Sequence, residues 1–215
     1  MPETSLTLVI ETATAACSVA LIEAGRVIEA RHEVVGRGHA ERLIPMIGEL
    51  PDGGRAPRIL VDCGPGSFTG VRVGIAAARG LALGWGADAF GYSSLSLLAA
   101  AGFARNPGWD SLAVVLEGGH GEVFMQAFDA QLRPLSALAS LKPEAALAQL
   151  DGRPAIGNGV RFLTSLDESL PLTEALPCAA DAVLLPALLS TLPARPIYGR
   201  APDAKPLAPA QRAQS

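Results

Sequence analysis

Cys63-Gly64-Pro65-Gly66-Ser67-Phe68-Thr69-Gly70-Val71-Arg72-Val73-Gly74 is the stretch that decides the fold class. A short apolar run, Arg58 to Cys63, empties into a glycine-rich loop, and the loop opens an apolar helix from about Gly70 to Trp85. Buried strand, tight loop and helix form the repeating unit of an α/β sheet. Such a loop aims backbone N–H groups and the positive end of a helix dipole at one point, which suits an anion or a phosphate. No G-K-[ST] follows, so this is not a Walker A loop. The competing reading is that the glycines only permit a tight strand-to-helix turn.

Working towards the N-terminus, Leu6 to Glu11 and Cys17 to Ile22 are apolar strands joined by the small-residue turn Thr12-Ala13-Thr14-Ala15-Ala16. Glu23 to Arg26 is a hairpin turn. Val27 to Val35 is a third strand with Glu29, Arg31 and Glu33 interleaved, so one of its faces is wet. Turns this short allow only an antiparallel meander. A helix follows from His39 to Leu50, with Leu43, Met46, Ile47 and Leu50 on one stripe and Pro45 inside it. Past the glycine loop and its helix come a strand, Ala89 to Tyr92, and a helix from Ser94 to Arg105.

Asn106-Pro107-Gly108 marks a boundary, after which the order repeats. Leu112 to Glu117, Glu122 to Phe128 and Leu132 to Ser140 are strands, Pro143 to Leu150 a helix, and Pro154 to Ile156 a strand entering Gly157-Asn158-Gly159. Glu11 and Glu117 take the same place in the two halves. Two copies of this order imply two sheets facing each other across a cleft. The expected division is an N-terminal subdomain, 1–106, a smaller C-terminal one, 107–204, and a disordered tail, 205–215. Pro177 to Leu189 has the pattern of an amphipathic helix, and the prolines from Pro193 onward fit neither helix nor central strand.

Composition narrows the function. The chain has 215 residues, 49% apolar, with a net charge of -4. That is enough apolar material for a substantial core. The 17 basic residues are scattered, so no basic stripe for gripping nucleic acid is visible. No signal-peptide or membrane-span pattern is present, and the expectation is a cytoplasmic protein without a membrane partner. Three separated cysteines, Cys17, Cys63 and Cys178, form neither a disulfide framework nor a zinc knuckle. His32-Glu33 begins a zinc motif that Gly36 breaks, and His39 and His120 have no ligand-like spacing. Phosphoryl transfer would call for carboxylates at strand ends; Glu11 and Glu117 sit there, but a metal site is not favoured. The helix after the glycine loop carries only Arg72 and Arg79 as charges and is otherwise small and apolar, so it needs cover on more than one side. A partner chain is the expected second cover.

These residues resemble one family. Leu8-Val9-Ile10-Glu11-Thr12-Ala13-Thr14, Gly38-His39-Ala40-Glu41-Arg42-Leu43-Ile44-Pro45 and above all Gly64 to Gly74 are similar to the bacterial TsaB (YeaZ) proteins, with support from Gly121-Glu122-Val123-Phe124, Tyr198 and Pro202-Asp203-Ala204-Lys205. The resemblance implies an actin-like ATPase (ribonuclease H-like) α/β fold of two duplicated subdomains with mixed sheets. It implies a non-catalytic subunit, without cofactor or metal, in forming N6-threonylcarbamoyladenosine beside the anticodon of tRNAs that read A-starting codons. The implied partners are the catalytic paralogue TsaD and the small ATPase TsaE, with a homodimer through the same surface when alone and tRNA met only indirectly. Carried onto this chain, the partner surface falls on His39, Leu43, Ile44, Ile47, Val71, Ile75, Arg79 and Ala82. Vestigial phosphate-site positions fall on Glu11, Thr12, Gly66, Ser67 and Glu117. Glu11 replaces the family's usual Asp, and Glu117-Gly118-Gly119-His120 replaces a commoner Asp-Ala-Arg-basic stretch. A small-molecule kinase or ATPase of the same fold is the alternative, and an M22-type metallopeptidase the third reading.

Overall fold

A computed structural model describes residues 6–200; the expected tail at 205–215 lies outside them. The first sheet grows from β1 (Thr7–Glu11), which is buried along its whole length. The meander follows as expected: β2 (Ala16–Glu23) and β3 (Arg26–Val34) add antiparallel on one side. On the other side β4 (Arg58–Asp62) and β5 (Asp88–Tyr92) run parallel to β1. Parallel neighbours need crossovers, supplied by α1 (His39–Gly48) before β4 and α2 (Phe68–Trp85) between β4 and β5. Both helices cover the face made by Leu8, Ile10, Ile59 and Val61.

α3 (Ser94–Arg105) is the layer between the sheets. Its Leu97 packs with Val9, Leu60 and Tyr92 of the first sheet. Leu95, Leu98 and Ala99 pack on the second, against Leu112, Leu116 and Ile156. The cap is Ser93, whose Oγ accepts from Leu95 N–H, one residue earlier than Ser94. The second sheet repeats the first. β6 (Ser111–Gly119), β7 (Glu122–Asp129) and β8 (Ala139–Leu141) are antiparallel, and β9 (Ala155–Ile156) and β10 (Leu172–Thr173) run parallel to β6 on its other side. The strand orders β5-β4-β1-β2-β3 and β10-β9-β6-β7-β8 are one plan used twice. α4 (Pro143–Leu150) and α5 (Val160–Thr164) fill the helix places of the second copy.

Two expectations need correction. The strand over Leu132 to Ser140 shrinks to β8. Asp129 draws the preceding residues into a turn, its Oδ1 accepting from the N–H groups of Gln131 and Arg133. The helix over Pro177 to Leu189 is instead two short 3-10 turns, Ala179–Leu184 and Ala187–Ser190, broken at Pro186, which has no N–H to continue a ladder. The expectation for the late prolines holds where it meets a sheet: Pro193 enters a strand only at an edge. β11 (Leu192–Pro193) pairs antiparallel with β5 at the sheet edge, where a proline costs no central ladder bond.

These last elements return to the first sheet. Ala179 and Ala182 are buried beside Val9, Ala20 and Tyr92, and Arg58 donates to the Ser190 carbonyl at 2.7 Å. All strands of the second sheet lie beyond residue 106, but β11 belongs to the first sheet and the segment from Ala179 to Ile197 packs with it.

Candidate functional site

The glycine loop is closed by its own chain. Ser67 N–H donates to the Ala13 carbonyl at 2.6 Å, and Thr12 Oγ1 donates to the Gly70 carbonyl at 2.8 Å. A Cβ at Gly66 would run into Ala13 O, one at Gly70 into Thr12 O, and one at Gly74 into Thr12 Oγ1. Glycines 66, 70 and 74 therefore let α2 begin directly against the β1–β2 turn. Ser67 Oγ accepts from Gly70 N–H and caps the helix. The N–H groups of Gly64, Ser67 and Gly70 are thus engaged within the chain, and the close approach of the β1–β2 turn accounts for glycines 66, 70 and 74. The second copy repeats this: Gly159 N–H donates to Val115 O, and a Cβ at Gly157 would meet that same carbonyl.

The carboxylates are not brought together as a pair. Glu11 is wholly buried, with Oε1 accepting from Ala13 N–H at 2.8 Å and Oε2 from the Tyr92 hydroxyl at 3.0 Å. Glu117 is exposed and ion-paired with Arg161 at 2.6 Å. Thr12 is buried and serves Gly70, while Gly66 and Ser67 belong to the clamp just described. Asp62, not among the expected site residues, is buried at the end of β4. Its signal is an acid closing an apolar parallel strand directly before the glycine loop. Among the described residues no cluster of three His, Cys, Asp or Glu side chains could hold a metal. His39 is buried, its Nε2 bonded to Ala16 O at 3.0 Å, and His120 sits in a turn at φ 54°.

The residues expected at a partner surface divide sharply. His39, Leu43 and Ile47 of α1 and Val71 and Ile75 of α2 are buried against the first sheet within this chain. Ala82 is half-buried against the same core. Arg79 is exposed, with one nitrogen on the Ala194 carbonyl at 2.6 Å. Ile44 is 52% exposed and does lie outside. The expected face is thus the inward one. Sequence gives the helical period but not its phase when both sides of a helix are small and apolar.

The outward side of α2 is open in this chain. Leu83 is 88% exposed and Phe68 68%, with Ala76, Gly80 and Gly84 between and beside them also exposed. Nothing lies within 4 Å of where a Cβ would stand at Gly80 or Gly84. On α1, Ala40, Ile44, Pro45 and Gly48 are the exposed side. At the start of α2 the Arg72 guanidinium lies 3.1 Å from the centroid of the Phe68 ring, and it donates to the Tyr198 hydroxyl at 2.9 Å.

The chain is similar to known proteins in sequence and in fold. Residues 27–158 match the family model described as TsaD: tRNA N6-adenosine threonylcarbamoyltransferase. An Escherichia coli (strain K12) protein, tRNA threonylcarbamoyladenosine biosynthesis protein TsaB, is 33% identical over 199 residues, covering 86% of this chain and 84% of that one. The chain belongs to the TsaB/YeaZ family. A Haemophilus influenzae TsaB is 38% identical over 115 residues, 50% of this chain and 48% of its own length. The solved structure of YeaZ from Pseudomonas aeruginosa superposes with a TM-score of 0.76 at 29% identity, over 91% of this chain and all of that one. The resemblance read from Gly64 to Gly74 is therefore borne out, and the chain shares with YeaZ the duplicated α/β fold described above. No helix among the described residues is long and apolar enough to cross a membrane.

Proposed function

We propose that this chain is a non-catalytic subunit in the formation of N6-threonylcarbamoyladenosine beside the anticodon of tRNAs that read A-starting codons, and that it works by docking a TsaD-like catalytic paralogue. The observation that carries this reading is the outward face of α2, with Leu83 and Phe68 held in water on a helix already anchored by its other side. Exposed large apolar groups beside small ones admit a close-packed neighbour. The same face supports a homodimer in the absence of the paralogue, and a TsaE-like ATPase completes the assembly. A chain with a net charge of -4 meets tRNA through its partners rather than alone. The glycine loop closed on Thr12 and Ala13, and the turning of Glu11 into the sheet, support a role without nucleotide turnover on this chain.

The test is depletion of the chain in its host, followed by mass spectrometry of nucleosides from bulk tRNA. Loss of threonylcarbamoyladenosine is expected, restored by the wild-type chain. A normal level of the nucleoside after depletion contradicts the assignment.

A further inference from the structure

Glu11, Asp62 and Tyr92 stand in one row across three neighbouring strands. The register pairs Ile10 with Val61 and Asp62 with Tyr92, so one step further along β1 sets Glu11 beside Asp62. All three are wholly buried. They lie on the face covered by α3 and the Ala179–Leu184 turn, the face of Val9, Leu60 and Leu97. Asp62 Oδ1 accepts from Gly64 N–H at 2.5 Å and from Ser94 Oγ at 2.8 Å. Its Oδ2 is the one fully buried side-chain oxygen or nitrogen among the described residues for which no partner is found. Glu11 and Asp62 are neighbours on the same face of adjacent parallel strands, both shut away from water. Two bare carboxylates cannot hydrogen-bond to each other and repel strongly out of water. A single proton removes the repulsion and supplies the missing donor.

We propose that Glu11 and Asp62 share one proton at neutral pH. Glu11 is the carboxylic acid and donates its O–H to Oδ2 of the Asp62 carboxylate, making a clasp that joins β1, the Gly64 loop and the start of α3. The proton comes from solvent as the chain folds, and Glu11 keeps lone pairs for the Ala13 N–H and the Tyr92 hydroxyl. Gly64 and Ser94, both donating to Oδ1, stabilise the charge on Asp62. Burial, and then the charge of Asp62, push the Glu11 carboxyl well above the usual range.

Other titratable groups around the pair do not replace the proton. Burial pushes the Cys63 thiol, next to Asp62, up to about 12 and holds the Tyr92 phenol protonated. On β2 the residue opposite Glu11 is Ser18, with Cys178 beside it at 3.7 Å. Asp181 of the returning turn is bonded by Arg105 at 3.2 Å.

In the unfolded chain Glu11 titrates at its ordinary value, so above that pH the folded chain holds a proton that the unfolded chain has lost. The clasp's contribution is full below the unfolded value and is lost as pH rises towards the folded one. For one proton the folding constant falls about tenfold per pH unit. The test is urea unfolding of the wild type and Glu11→Gln from about pH 6 to about pH 8. The amide of Gln donates to Oδ2 without titrating, so Glu11→Gln should lose less stability with rising pH, by about tenfold per unit. Equal slopes overturn the proposal. Should Glu11→Gln fail to fold, the infrared spectrum of the wild type in D2O at neutral pH decides. The carbonyl stretch of an un-ionised carboxylic acid is expected, and its absence overturns the proposal.

Discussion

Thr12 and Gly70 are joined by a 2.8 Å hydrogen bond from hydroxyl to carbonyl across 58 positions of sequence, so the turn after β1 and the first turn of α2 form a single clamp. Glycines 66 and 70 exist for that clamp, since a methyl group on either would press on backbone oxygen. Gly66→Ala and Gly70→Ala should each destabilise the fold by about 2–3 kcal/mol through overpacking against backbone that cannot yield. Gly80→Ala, on the same helix with open space around it, should stabilise by about 0.5–1 kcal/mol through helix propensity. Urea denaturation of the three variants checks both signs.

The phase of α2 has its own test. Ile75 is buried against the first sheet and Leu83 stands in water. Ile75→Ala should cost about 2–4 kcal/mol by leaving a cavity, whereas Leu83→Ala should change stability by less than about 0.5 kcal/mol. Reversed values in thermal unfolding would mean that the helix is turned the other way. The substitutions Val71→Glu and Ile75→Glu, natural choices if those residues faced a partner, would instead bury charge in the core and unfold the chain.

Much of the architecture is legible in the residues. The glycine loop after an apolar run, the short turns of the meander and the repeat after Asn106 all follow from local rules that the fold obeys. The phase of the two helices is not legible, because His39, Leu43, Val71 and Ile75 on one side and Ile44, Phe68, Ala76 and Leu83 on the other are both largely apolar. Nor is the return of the segment from Ala179 to the first sheet. That return depends on long-range pairing of Leu192 and Pro193 with β5, for which a local pattern carries no signal. The two readings of the glycine loop could not be separated for a related reason: glycines for a phosphate and glycines for a backbone clamp look alike until the neighbour is seen.

The thiols give a further check. Burial pushes the Cys63 thiol up to about 12 and that of Cys17 up to about 11. Only the thiolate reacts, so at about pH 8 roughly one Cys63 in ten thousand and one Cys17 in a thousand are reactive. Cys178 is half-buried and should react first with a thiol reagent. One fast thiol in the native protein and three after unfolding are expected. Rapid reaction of all three without denaturant would show that the first sheet opens readily.

The docking face is tested most directly by calorimetry of this chain with the TsaD-like subunit of the same organism, wild type against the double variant Ala76→Glu/Leu83→Glu. Both positions are exposed, so the variant should keep the wild-type melting temperature. Its affinity should fall at least about tenfold, the consequence of burying unpaired charge where two helical faces meet. Wild-type affinity in a folded double variant would contradict the assignment of this face.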